Sequence, residues 1–250
     1  MPDKRKKIET GWDFLRSAIK VVKKTYSSVE EGRYKVIPSL LERNSQAKVC
    51  ELGCAWGDTL VQAAQIMGTT QMYGVDCEQR SLNGASQKGV KTFLRDLNNP
   101  LPFDDEAFDV IIASHVIEHL QKTDLFCKEM HRCLKRGGYT IIATPNLAAT
   151  HEIAALVLGL QPFTAHVSDE TFGLGNRFDP KHGVKHQATE SSHLRCFTLG
   201  ALRDLLQYHG FKVEKIVGVG YYPFPVKIAR ILSRIDPRHA AILIMKACKV

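Results

Sequence analysis

Residues 49–60 read Val49-Cys50-Glu51-Leu52-Gly53-Cys54-Ala55-Trp56-Gly57-Asp58-Thr59-Leu60. A short apolar run ends in a turn that carries two glycines. Beyond it, Leu60, Ala63 and Ala64 recur at the spacing of a helix face. Gly53 and Gly57 permit backbone conformations, and a close approach of ligand to backbone, that a side chain would block. A strand, a glycine turn and a helix in that order are the opening unit of a parallel sheet, and a nucleotide-like ligand sits at the carboxyl end of such a strand. Glu51, two residues before Gly53, adds an acceptor for a cationic or amino-bearing group.

Downstream the rhythm repeats. Short β-rich runs at Lys48–Leu52, Gln71–Val75, Lys91–Leu94, Phe108–Ala113 and Tyr139–Ala143 alternate with helical stretches. This predicts a doubly wound α/β domain with helices on both faces. Two further β-rich runs follow at Lys212–Val219 and Ala241–Cys248. Acids close the runs in order. Gln71-Met72-Tyr73-Gly74-Val75 ends at Asp76, about 20 residues past the glycine turn, where a carboxylate can hold both hydroxyls of a ribose. Phe93-Leu94-Arg95 leads to Asp96 and Leu97. Each acid alone also reads as a loop or helix-cap carboxylate. Three at successive strand ends point to an adenosine-bearing ligand.

Together these residues resemble the class I S-adenosylmethionine (SAM)-dependent methyltransferases. The first motif of that family, Glu-x-Gly-x-Gly-x-Gly, is matched by Glu51, Gly53, Ala55 and Gly57, with Ala55 in place of the middle glycine. A dinucleotide dehydrogenase would need its third glycine at Asp58, so that rival fits poorly. Phe108-Asp109-Val110-Ile111-Ile112-Ala113-Ser114-His115-Val116-Ile117-Glu118-His119-Leu120 resembles the fourth-strand segment of the type 11, or ubiquinone-biosynthesis-like, group. Met130-His131-Arg132-Cys133-Leu134-Lys135-Arg136-Gly137-Gly138 resembles the helix and Gly-Gly turn before its fifth strand, and the likeness returns at Ser192-His193-Leu194-Arg195-Cys196-Phe197-Thr198. It covers residues 47–146 best.

The resemblance implies a seven-stranded, mostly parallel sheet with the last strand antiparallel. It also implies SAM as cofactor, with S-adenosylhomocysteine as product. Glu51, Gly53, Cys54, Ala55, Gly57, Asp76 and Cys77 are the expected binding residues on the first two strand tips. Asp96 would contact the adenine amino group and Leu97 the ring, with Ser114 and His115 at the methionine end. Residues 1–46 form an expected helical cap, and 47–250 the SAM-binding domain, with an acceptor or lid insertion at about 147–190.

His115 and His119 are four apart and share a face if the turn is helical. His119 reads either as a satisfied structural histidine or as a general base near the reacting centre. No third ligand is apparent near the pair, so a metal is not expected. The expected acceptor is a small-molecule, glycan or lipid-type compound. The alternatives are a catalytically silent SAM-binding protein and a nucleotide-dependent oxidoreductase.

Composition bounds the rest. Of the net charge of +8, residues 1–48 carry +6 and residues 221–250 carry +5, leaving 49–220 at −3. Positive charge therefore flanks the expected site rather than surrounding it, which disfavours nucleic acid as partner. It suits either a solvated surface or peripheral membrane contact. That contact would join the apolar residues Ile153, Ala154, Leu156, Val157 and Leu160 to a basic rim of Lys4–Lys7, Lys20–Lys24, Lys227, Arg230, Arg234 and Arg238. The alternative is that 153–160 packs inward as ordinary core. No apolar run reaches ~18 residues, so no spanning helix is expected. The first residues lack the apolar core of a signal peptide. Seven scattered cysteines without a Cys-x-x-Cys pair suit free thiols in a cytoplasmic setting.

Overall fold

The computed structural model describes residues 35–186 and 192–250. Most of the expected helical cap, with the basic clusters Lys4–Lys7 and Lys20–Lys24, lies outside them. Seven strands form one sheet: β1 (Lys48–Leu52), β2 (Gln71–Asp76), β3 (Lys91–Leu94), β4 (Phe108–Ser114), β5 (Leu134–Pro145), β6 (Phe211–Val219) and β7 (Ile242–Lys249). Their spatial order is β3-β2-β1-β4-β5-β7-β6. β1 through β5 pair in parallel, whereas β7 runs antiparallel to both β5 and β6. The seven-stranded doubly wound sheet with an antiparallel last strand is thus as expected.

The helices are α1 (Asp58–Met67), α2 (Gln79–Gln87), α3 (Thr123–Cys133), α4 (Thr150–Val157), α5 (Leu199–Tyr208) and α6 (Val226–Ile235). Strand residues alternate between two cores, as the period of two demands. Cys50, Leu52, Ile111, Ala113 and Ile142 face α3 and α5, where Phe126, Met130, Leu202 and Leu206 meet them. Val49, Val110, Ile112, Ile141 and Ala143 face α1, packing on Leu60, Ala63, Ala64 and Met67. Residues 35–39 are helical, and Ile37 and Leu40 pack into that second core. Nearby, the buried Lys246 pairs with Glu42 and holds its ammonium 4.0 Å over the Tyr139 ring.

Two elements depart from the sequence reading. β5 begins at Leu134, so Gly137 and Gly138 lie inside the strand rather than in a turn before it. Leu134 pairs with Phe108, the register then shifts, and regular pairing resumes at Tyr139 with Val110. The intervening residues bulge, and Gly137 supplies the φ of +73° that the bulge needs. The second departure is α6, in a span where the spacing of Ile228, Ile231, Leu232 and Ile235 was not read as a helix.

Candidate cofactor and acceptor site

The expected binding residues form a row along the carboxyl edge of β3, β2, β1 and β4. β1 is buried from Val49 onward, and Glu51 near its tip is 3% exposed. Gly53, Ala55 and Gly57 all adopt positive φ (+74°, +42° and +76°) and reverse the chain into α1. A Cβ on Gly53 would stand 2.3 Å from Val116 Cγ2, so the turn presses on the second residue beyond β4. Ala55 holds a left-handed conformation where the family pattern has glycine. What fixes it is Asp76, whose Oδ2 accepts from the Ala55 amide at 2.8 Å while Oδ1 accepts from Glu78 N at 3.0 Å. The ribose-type acid therefore also staples the glycine turn to the tip of β2. Cys54 is buried and its thiol is pushed up to about 12, first by burial and then by Glu51 and Asp76; Cys77 is exposed.

Asp96 follows β3 and accepts from Asn98 N at 2.8 Å and Asn98 Nδ2 at 3.0 Å, which shapes the loop. Leu97 beside it is buried. All these residues stand where an adenosine-bearing ligand meets an open parallel sheet. Carboxylates at three consecutive strand tips are the acceptor set to which such a ligand's amino and hydroxyl groups would donate.

At β4 the histidines do not behave as an i, i+4 pair. His115 has a φ of +56° and stands outside the single 3-10 turn Ile117–His119, so the two rings share no helix face. Its Nδ1 lies 3.2 Å from Glu118 Oε1. Glu118, 1% exposed, also accepts from Thr144 Oγ1 at 3.0 Å, and its backbone carbonyl accepts from Leu194 N and Arg195 N. Burial pushes this carboxyl up, but the His115 hydrogen bond and the neighbouring imidazoles outweigh it and lower the group from its ordinary value.

His119 turns the other way. Its Nδ1 donates to the Ser192 carbonyl at 3.1 Å, which leaves Nε2 as the ring nitrogen outside that contact. Its ring centroid lies 5.0 Å from that of His193. His193 Nδ1 likewise donates to Thr164 O at 3.0 Å, its backbone amide donates to His166 Nδ1, and its ring stacks on His166 at 4.5 Å. Burial lowers both His193 and His166 to about 4, so both are neutral near pH 7. Phe172 and His186 stack on each other at 3.7 Å and both meet the His166 ring edge-on. The segment after β5 thus folds back over the tip of β4 through imidazole contacts.

The expectation that no third metal ligand stands near the histidines needs correction. His193, from 74 residues further along the chain, brings its donor within 4.8 Å of donors on Glu118 and His119. Such a trio could hold a divalent cation, although both Glu118 oxygens already face protein partners. Sequence reasoning marked His193 only as part of a family block and gave Glu118 no role. The one signal was its place between two histidines. A polar hollow of about 700 Å³ lies at the opposite, amino end of the strands, beside Lys135 and Asp109. Those two groups pair with each other at 2.8 Å, and Asp109 also accepts from Lys48 N.

The methyltransferase-domain family matches residues 43–192, more than half of the chain. The ubiquinone biosynthesis O-methyltransferase of Rattus norvegicus is 22% identical over 72% of this chain and 48% of its own. The phthiotriol/phenolphthiotriol dimycocerosates methyltransferase of Mycobacterium tuberculosis is 27% identical over 69% of this chain and 65% of its own. The chain spans about half to two thirds of the length of these relatives. Among solved structures, an S-adenosylmethionine dependent methyltransferase from Listeria monocytogenes superposes with a TM-score of 0.62 at 19% identity, covering 88% of this chain and 97% of its own. The sheet order, the acid-tipped strands and the family match agree, and this chain belongs to the class I SAM-dependent methyltransferases.

Proposed function

We propose that this protein methylates a hydroxyl oxygen of a small, lipid-type acceptor, seated between the tip of β4 and the segment that folds over it. The observation that carries this reading is the contact of His119 Nδ1 with the Ser192 carbonyl. With Nδ1 donating there, Nε2 is the nitrogen that would take the acceptor's proton as the oxygen attacks. When bound, SAM supplies an electrophilic methyl group on a sulfonium, so the protein has to align the acceptor and exclude water. Glu51 would hold the amino end, Asp76 the ribose, Asp96 and Leu97 the adenine, and Ser114 and His115 the methionine end. His193 and His166 would wall the acceptor as neutral rings. The lipid character is supported by the relatives named for ubiquinone biosynthesis and for phthiotriol.

Labelled SAM incubated with separated lipid and aqueous metabolite fractions tests the proposal. Label is expected in the lipid fraction, as a methyl ether. His119→Ala is expected to lower kcat by about 10²- to 10⁴-fold with S-adenosylhomocysteine affinity unchanged. Label confined to the aqueous fraction would remove the lipid acceptor. Activity that collapses under a chelator and returns with a divalent cation would replace the base by a metal on Glu118, His119 and His193.

A further inference from the structure

The helix α6 is built inside out for a surface helix. Its buried residues are the small ones, Ala229 and Ser233. Ser233 Oγ donates to Ala229 O at 2.7 Å and approaches Gly220 O at 3.2 Å. A Cβ on Gly218 of β6 would stand 3.1 Å from Ser233 O and 2.5 Å from Ala240 Cβ, so small residues on both sides bring helix and sheet together. The large aliphatic residues point away. Ile228, Ile231 and Ile235, spaced three and four apart, form one outer stripe, with Ile231 58% and Ile235 75% exposed. Lys227, Arg230 and Arg234 form a parallel stripe at the same spacing, all exposed.

Among the described residues none of these three cations, nor Arg238, pairs with a carboxylate. Asp236, the single acid between Val219 and Arg238, is occupied by Tyr221, His239 and the Arg238 amide. Phe224, 39% exposed, extends the apolar stripe toward the start of the helix. At that start Tyr222 also meets α4, accepting from Thr150 Oγ1 at 2.5 Å and lying 4.8 Å from the His151 ring. α4 likewise turns its large residues outward. It buries Glu152 and Ala155 and leaves Ile153, Leu156, Val157 and the following Leu158 exposed. The inward-core alternative for this stretch is therefore not what the fold adopts.

We propose that the outer face of α6, with Phe224 and the exposed edge of α4, docks this protein on an anionic lipid bilayer. An apolar stripe beside an unneutralised basic one is the pattern of a helix lying in the plane of a membrane interface. The isoleucines enter the headgroup boundary while the lysine and arginines meet lipid phosphates. A second copy of the chain would set like charges against each other, and nucleic acid would leave the isoleucines in water. This docking goes beyond the methyl-transfer reading and does not depend on the acceptor.

Co-sedimentation of the full chain with vesicles tests it. Phosphatidylcholine vesicles containing an equal part of phosphatidylglycerol are expected to carry the protein down. Pure phosphatidylcholine should do so weakly, and high salt should weaken binding to the anionic vesicles. Ile231→Ser with Ile235→Ser is expected to lower the partition coefficient about tenfold or more. Lys227→Gln, Arg230→Gln and Arg234→Gln together should lower it about a hundredfold at low salt. These side chains are exposed, so S-adenosylhomocysteine binding should persist in both variants. If the serine variant does not fold, the glutamine variant carries the test. Sedimentation that is absent in the wild type, or unchanged in both variants, overturns the proposal. So does a concentration-dependent dimer, or a complex with duplex DNA, formed without vesicle binding.

Discussion

Two neighbouring positions in the glycine turn carry opposite demands. At Gly53 the left-handed φ coincides with the wall made by Val116, so Gly53→Ala adds both backbone strain and a clash. We expect a loss of about 1–3 kcal/mol by thermal melting, together with weaker S-adenosylhomocysteine binding. At Ala55 the left-handed φ has already been accepted. Ala55→Gly relieves about 1 kcal/mol of strain and returns a similar amount as chain entropy. Its melting temperature should stay within a few degrees of wild type; a large drop would mean that the Ala55 methyl packs against something essential. Glu51, Asp76, Asp96 and Ser114 were legible because a strand's end can be read from where its apolar alternation stops. The engagement of Asp76 with the Ala55 amide was not legible, since a carboxylate's partner across two strands leaves no periodic trace. His193 was hidden for a related reason, its partner His119 lying 74 residues away.

At the scale of the element, α4 places a titratable pair over the domain. Glu152 is fully buried and accepts from Phe163 N at 2.6 Å and Thr164 N at 3.1 Å. Burial outweighs those bonds and pushes its carboxyl up to about 7. A raised folded-state value favours folding below the ordinary carboxylate range, and that contribution fades as pH rises through about 7. The span corresponds to a contribution on the order of 3 kcal/mol. Wild-type protein should therefore lose more melting temperature than Glu152→Gln between about pH 5 and about pH 8. Parallel curves would show that the carboxyl is not strained. His151 beside it works in the opposite sense. Burial lowers it to about 4, so its contribution is full above the ordinary histidine range and is lost as pH falls through about 4. The apolar content of 153–160 was visible in the sequence, but which face it buries was not. Its inward face holds an acid and an alanine, the reverse of ordinary patterning. α6 was missed for the same reason, compounded by Pro223 and Pro225 just before it and by cations between its isoleucines.

For the whole molecule, a ligand that binds only the folded chain raises its stability by an amount set by affinity. S-adenosylhomocysteine at ~100 times its dissociation constant should add about 2.7 kcal/mol, a shift of several degrees, while NAD should add nothing. A shift with NAD instead would favour the oxidoreductase alternative. The parallel half of the sheet could be read directly, because its short β-rich runs recur along the chain and acids close the first three, although no helix separates β3 from β4. The placement of β7 rested on family resemblance, since strand order among non-local partners is not written in periodicity. That placement governs how the chain is made. β7 lies between β5 and β6 and is the strand to which β6 is paired. On the ribosome β5 emerges with one edge open, and β6 follows with no place to dock until β7 has been synthesised. The two strands must then enter the sheet together, and a chain released before Ile242 would forfeit both.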